Sequence, residues 1–333
     1  MFAIAGSSNV GARKNVNQDA WCALSAETSV GDVALTVVCD GVGGLSSGEL
    51  ASSTVVYEFS RWFQQDFAPL ASASVAHEGT VNLSEVAAVW AQMLASLNRR
   101  IGDYGRRQDV RLGTTFTGML ICQGRYVIGH VGDCRVYRIA SGQLEQLTND
   151  QTLAARSVAE GTVTKEEALL MPQGSVLLQS VGTQVELRPE FSYGEVRDGD
   201  LFVTCCDGFY RRLGDEGVRT AYAQVNAANE SALLAATERL IQQNMANGEK
   251  DNLTAVCLSV VAPEEGTTLL DDPSARAPYA PAPYAPGDES TTLLGSGSPD
   301  DATTLLGAGA PYSAAPQQGA PYGAQGGGAP WRA

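Results

Sequence analysis

Val33-Ala34-Leu35-Thr36-Val37-Val38-Cys39-Asp40-Gly41 reads as a buried strand closed by a carboxylate and a glycine. The same grammar recurs in Leu201-Phe202-Val203-Thr204-Cys205-Cys206-Asp207-Gly208. It recurs in reverse where Asp251-Asn252 leads into Leu253-Thr254-Ala255-Val256-Cys257-Leu258. Val127-Ile128-Gly129-His130-Val131-Gly132-Asp133 is a further case. A carboxylate at the rim of a buried strand is costly unless it is paired or holds a cation. Repeated in this way, the pattern points to one shared site. Oxygen-only ligands favour Mg²⁺ or Mn²⁺ over zinc. The expected chemistry is metal-assisted attack on an anionic substrate, such as a phosphate ester.

Working outward, apolar or alternating runs predict strands over 1–7, 19–26, 32–40, 114–122, 124–131, 134–140, 187–194, 200–206 and 252–261. Gly124 and Ser141-Gly142 mark tight turns, the second just before Leu144-Glu145-Gln146-Leu147. Helices are expected over 47–66, 83–105 and 229–246. The first carries the stripe Ala51, Val55, Phe59, Trp62, Phe63. The second carries Val86, Trp90, Met93, Leu94, Leu97, Ile101, and the third Leu233, Leu234, Ala236, Leu240, Ile241. Such stripes read as core-facing surface. Residues 151–186 are irregular, with a short acidic helix expected near 164–169, and suit a flap beside the site. The pattern predicts an α+β fold: a central sandwich of two antiparallel β-sheets flanked by α-helices, plus a disordered C-terminal tail.

The composition changes sharply near residue 262 of 333. Before it lies a chain rich in Val, Leu, Ile and Ala. After it, Ala, Pro, Gly, Ser, Thr and Tyr dominate, so residues 1–261 read as one domain and 262–333 as a low-complexity, disordered tail. A net charge of −15 with no basic stripe argues against a nucleic-acid binder. The seven cysteines lie mostly in apolar runs without a C-x-x-C pair, which fits a reduced protein without a disulfide framework. His77 and His130 are the only histidines, too few for a histidine-rich zinc site. The first residues lack a signal-peptide pattern and no apolar run reaches membrane-spanning length. A soluble, cytoplasmic protein is expected, and a monomer, since nothing demands a dimer.

Eight short motifs occur in one order: Asn17-Gln18-Asp19-Ala20; Asp40-Gly41-Val42-Gly43-Gly44 with Gly48-Glu49-Leu50-Ala51-Ser52; Leu112-Gly113-Thr114-Thr115; Gly132-Asp133-Cys134-Arg135; Leu147-Thr148-Asn149-Asp150; Ser180-Val181-Gly182-Thr183; Cys206-Asp207-Gly208; and Asp251-Asn252-Leu253-Thr254. Together they resemble the metal-dependent Ser/Thr protein phosphatases, the protein phosphatase 2C family in its bacterial type, over about residues 3–260. The resemblance implies hydrolysis of phosphoserine and phosphothreonine on proteins, by a water held between two Mn²⁺ or Mg²⁺ ions that lower its pKa. It implies Asp40 as the bridging ligand, the Gly41 carbonyl as a ligand of one ion, and Asp207 and Asp251 on the other. Asp19 is expected close to the ions, and Asp133 with Asp207 at a third, weaker site. Gly41, Gly43 and Gly44 are expected to provide unusual backbone angles and close approach.

Three departures from the family pattern stand out. The usual phosphate-binding arginine, three residues before the motif's Asn, is Lys14 here, with Arg13 beside it; either is a candidate for substrate phosphate, but a lysine offers a point charge and no bidentate fork. Gln18 replaces a glutamate, which implies weaker metal binding. Val42 stands where many eukaryotic members carry a histidine proposed as general acid, so a metal-bound water is expected to protonate the leaving alkoxide. A rival motif, the C-x5-R spacing of Cys205 with Arg211 and of Cys206 with Arg212, matches cysteine-dependent phosphatases. Asp207 inside that loop would repel phosphate, and neither thiol has an evident activating group, so this reading is set aside.

The tail repeats an acidic pair before Thr267-Thr268-Leu269-Leu270, Thr291-Thr292-Leu293-Leu294 and Thr303-Thr304-Leu305-Leu306. These units resemble sites of bacterial Ser/Thr kinases and ligands of forkhead-associated domains. A kinase or such a reader is therefore an expected partner of the tail, beside phosphorylated protein substrates. The plainer alternative is a low-complexity linker. A pseudophosphatase scaffold that binds partners through its tail is the alternative for the chain as a whole.

Overall fold

The computed structural model describes residues 1–42 and 47–262. The tail threonines Thr267, Thr268, Thr291, Thr292, Thr303 and Thr304, and the glycines Gly43 and Gly44, lie outside the described residues.

Two five-stranded antiparallel sheets face each other. The first takes β1 (Phe2–Asn9), β10 (Leu253–Val260), β9 (Leu201–Cys205), β6 (Arg135–Ala140) and β7 (Gln143–Gln146) in that spatial order. The second takes β2 (Asp19–Thr28), β3 (Gly31–Asp40), β4 (Phe116–Cys122), β5 (Arg125–Val131) and β8 (Glu190–Glu195). The burial of β3 explains the sandwich. Every residue from Val33 to Cys39 is buried, because the strand is covered on both faces. Val33, Leu35, Val37 and Cys39 pack under the helices, whereas Ala34 and Val38 point to the other sheet, as a period of two requires. Thr36 joins them on the inner face and shares a hydrogen bond with Thr204 of β9, 3.2 Å across the sandwich.

Helices α1 (Gly48–Gln65) and α3 (Leu83–Gln108) cover the second sheet with the expected stripes. Phe59 and Trp90 meet edge to face at 5.4 Å, and Phe59 lies 4.3 Å from Phe116 of β4. Helix α8 (Glu230–Ala246) covers the first sheet through Leu233, Ala236, Leu240 and Ile241. Asn82 and Asn229 cap α3 and α8 by accepting from backbone N–H groups of the first turn.

The structure adds helices that the stripes did not predict. In α2 (Phe67–Glu78) only Phe67, Ala71 and Ser74 are buried among many Ala and Ser, so the period is faint; Pro69 is tolerated because it falls in the first turn. Helix α7 (Gly214–Tyr222) buries only Val218 and Tyr222. The irregular stretch holds α4 (Leu153–Ala159) as well as the expected short acidic helix, α5 (Lys165–Ala168). Strand β4 begins later than expected because Thr114 leaves the ladder to bridge Gly41 and Val181. Among the described residues, no helix is long and apolar enough to cross a membrane.

Phe59 is fully buried at the centre of the aromatic cluster. Phe59→Ala is expected to cost about 3–5 kcal/mol of stability, read as a lower midpoint of chemical denaturation.

Candidate metal centre

The strand-end aspartates converge at one end of the sandwich, and both sheets supply them. Asp40 is the last residue of β3 and stands directly opposite Asp19, the first of β2, in the antiparallel register. Side chains so paired lie on one face a few ångströms apart, where like charges destabilise. Asp133 follows β5, Asp207 opens the short helix α6 (Asp207–Tyr210) after β9, and Asp251 precedes β10. Asp40 feels the charges of Asp19, Asp133 and Asp251.

Burial and this mutual repulsion set the electrostatics. Burial, partly offset by hydrogen bonds, pushes Asp19 up to about 6. Burial and then Asp150 push Asp133 up to about 7. Burial and the surrounding aspartates push Asp40 well above the ordinary carboxylate range. Asp19 is 2 % exposed and its Oδ2 accepts from Thr254 Oγ1 at 2.6 Å, but its Oδ1 has no hydrogen-bond partner. Asp207 Oδ1 is likewise buried and without one. Unpartnered buried oxygens in an all-oxygen cluster are what a hard divalent cation would satisfy, so these residues fit Mg²⁺ or Mn²⁺.

Basic side chains stand among the carboxylates. Lys14 Nζ lies 3.0 Å from Asp251 Oδ1, whereas the exposed Arg13 makes no hydrogen bond or ion pair among the described residues. Arg211 is paired with Asp207 and reaches Glu249 at 3.5 Å and Asp251 at 4.0 Å. Among the described residues, no group of three or more His, Cys, Asp or Glu side chains is already arranged to hold an ion. Lys14 and Arg211 sit between the carboxylates instead. Gln18 turns its amide toward Glu49, 3.5 Å away, at the start of α1.

Polar staples fix the strand ends. Thr115 Oγ1 accepts from the Asp40 N–H at 2.8 Å, and Thr114 Oγ1 donates to the Asp40 carbonyl at 2.9 Å. The Asn252 amide donates to the carbonyls of Val10 and Val16 at 2.9 and 3.2 Å and accepts from the Gln18 N–H at 3.0 Å. It therefore ties the Asp251 loop to the segment that carries Lys14 and Asp19. Tyr210 donates to the Asp133 carbonyl at 2.9 Å and is stacked under Arg135, whose guanidinium lies 3.7 Å from the ring centre. Gly41 does not adopt a positive φ, contrary to the expectation of an unusual angle. Glycine is needed there for close approach: a Cβ would lie 2.6 Å from the Gln18 carbonyl oxygen and from Gly48 backbone atoms.

Glu249 is the site residue that the sequence reading missed. It is 2 % exposed, and its Oε1 accepts from the N–H of Lys250 at 2.7 Å and of Asp251 at 3.1 Å. Its place in Gly248-Glu249-Lys250 resembles a solvated turn, and only its position two residues before Asp251 hinted otherwise. The C-x5-R reading fails on geometry. Cys205 and Cys206 are fully buried, burial pushes both thiols up, and Arg211 and Arg212 turn to carboxylates.

With this arrangement established, comparison with known proteins places the chain. It belongs to the protein phosphatase 2C family, whose model matches residues 6–258. It is 31% identical over 237 residues to the serine/threonine protein phosphatase PstP of Mycobacterium tuberculosis, an alignment covering 70% of this chain and 42% of that protein. The chain thus matches less than half of that relative's length. A serine/threonine phosphatase structure from S. agalactiae superposes with a TM-score of 0.66 at 27% identity, covering 78% of this chain and 100% of the other. The catalytic domain of PstP in complex with two manganese ions superposes with a TM-score of 0.59 at 27% identity, covering 78% of this chain and 99% of the other.

Two outcomes follow from the geometry. A carboxylate whose pKa is raised by folding stabilises the fold fully below its unfolded value, about 4. That contribution is lost as pH rises through about 6 for Asp19 and about 7 for Asp133. The protein kept in EDTA should therefore melt at progressively lower temperature as pH rises through that window, and added Mn²⁺ should raise its melting temperature more at pH 7.5 than at pH 5. Asn252→Ala should cost about 2–3 kcal/mol by orphaning buried backbone groups, measured by urea denaturation.

Proposed function

We propose that this chain is a metal-dependent protein Ser/Thr phosphatase, working on phosphoserine and phosphothreonine in proteins. The observation that carries this reading is the convergence of Asp19, Asp40, Asp133, Asp207 and Asp251 from both sheets, with buried oxygens left unpartnered. Family membership and the manganese-bound PstP domain support it. When bound, two divalent cations supply an activated water for in-line attack and neutralise charge on the phosphoryl oxygens.

The residues divide the work. Asp40, the Gly41 carbonyl, Asp207 and Asp251 would hold the two ions. Asp133 would join Asp207 in holding a third, weaker ion, and Asp19, hydrogen-bonded to Thr254, supports the cluster. Lys14, seated on Asp251, brings positive charge to the phosphate. His130 serves the scaffold, since its ring nitrogens meet Thr117 Oγ1 at 2.9 Å and the Asn149 carbonyl at 3.0 Å. The protein works as a cytoplasmic monomer opposing a Ser/Thr kinase, and its tail threonines, once phosphorylated, dock that kinase or a forkhead-associated reader. Lys14 and Gln18, where the family pattern has arginine and glutamate, favour the scaffold as the second reading.

Hydrolysis of a phosphothreonine peptide, with and without Mn²⁺, tests the proposal. Turnover should require the metal, and Asp207→Asn should reduce it by more than about 100-fold, the upper end of what loss of an outer-shell partner costs a metal enzyme. No turnover at any Mn²⁺ concentration in a folded chain would replace the phosphatase with the scaffold.

A further inference from the structure

Arg211 occupies a position that the mechanism above does not use. Its guanidinium gathers carboxylates from two segments: Asp207 on its own helical turn, and Glu249 and Asp251 on the loop before β10. Its charge also bears on Asp133, lowering that pKa against the effect of burial. The side chain is 40 % exposed, so it spans from the aspartate cluster to solvent. Glu249 is its opposite, with a side chain 3 % exposed. Glu249 Oε1 is anchored by two backbone N–H groups, and Oε2 lies 3.4 Å from Arg212 Nε without a hydrogen bond. A buried carboxylate fixed in this way sets the loop that carries Asp251 and draws two arginines to the rim of the site.

We propose that Arg211 binds the substrate phosphate and that Glu249 is the positioning residue that aims it. This inference rests on the phosphatase reading. Lys14, the residue at the family's phosphate-binding position, is a point charge already held 3.0 Å from Asp251. A guanidinium presents paired N–H donors that match two oxygens of a phosphate as they match a carboxylate. Asp207 and Asp251, now paired with Arg211, would turn to cations when these bind, and the arginine fork would then be free for phosphate. Glu249 keeps the arginine near the rim while this exchange takes place. The opposing account makes Arg211 a plain counter-ion of Asp207 and Asp251, and it predicts different behaviour.

The test uses the full chain with Arg211→Ala, Arg211→Lys and Glu249→Gln. Four quantities are measured: KM and kcat for a phosphothreonine peptide at saturating Mn²⁺, the affinity of the Mn²⁺-loaded chain for inorganic phosphate by calorimetry, and the affinity for Mn²⁺ alone. Arg211→Ala should weaken inorganic phosphate binding and raise KM by about 10-fold or more, as loss of a charge-assisted hydrogen bond does. The loss should fall on KM more than on kcat. Arg211→Lys should recover part of it, Glu249→Gln should shift KM and phosphate affinity in the same direction by less, and Arg211→Ala should also bind Mn²⁺ more tightly, since nothing then competes for Asp207 and Asp251. Phosphate affinity and KM left unchanged by Arg211→Ala at saturating Mn²⁺, with tighter Mn²⁺ binding as its sole effect, would overturn the proposal in favour of the counter-ion. If Arg211→Ala does not fold, the same comparison is read from Arg211→Lys and Glu249→Gln. Failure of the unsubstituted chain to turn over peptide would sink the phosphatase reading, while the calorimetric phosphate titration would still decide the role of Arg211.

Discussion

Repulsion among buried carboxylates is the constraint around which this molecule is arranged. Asp19 and Asp40 face each other across a ladder, and Asp133 and Asp251 add their charges to Asp40. No strand pairing would favour such a meeting for its own sake. The sandwich tolerates it because the rest of β3 is packed on both faces and its ends are stapled by Thr114, Thr115 and Asn252. The cost is concentrated at one end, where a bound cation would relieve it. Folding and metal binding are therefore coupled through the protonation of the same few oxygens.

Much of this was legible in the sequence. Aspartates that close apolar runs gave away the site, because burial and charge conflict within a few residues. The strand pattern predicted two sheets, and the stripes of α1, α3 and α8 were strong because each buries a wide face. What escaped had no such pattern. Helix α2 buries little, and α7 is short. The reason for Gly41 is a contact with Gly48 and Gln18, which local backbone rules do not encode. Glu249 was hidden because its burial depends on where Arg211 and Arg212 lie in space. Those arginines were visible in the sequence only as parts of a rival motif.

The supporting residues are as organised as the aspartates they hold. Asn252 holds three backbone groups of residues 10–18 through one amide, so the loop bearing Asp251 and the entry to β2 cannot shift independently. Arg135 stacks on Tyr210 and is held by Asp150 at 2.6 Å, and Tyr210 in turn fixes the backbone of Asp133. Asp19 is tied to β10 of the opposite sheet through Thr254, and the backbone of Asp133 to α6 through Tyr210. Such ties limit how far the ligand spacing can drift.

The buried thiols carry a consequence for the protein's behaviour under oxidative stress. Six of the seven cysteines are buried and the seventh, Cys22, is partly so; the thiol of every one is pushed above its ordinary pKa, chiefly by burial. Peroxide attacks the thiolate, and at neutral pH these sulfurs hold their protons. Cys134 and Cys206 lie beside the aspartates, whose charge adds to burial in raising both thiols. A site built on carboxylates offers peroxide no reactive sulfur, whereas a site with a sulfur nucleophile must expose one.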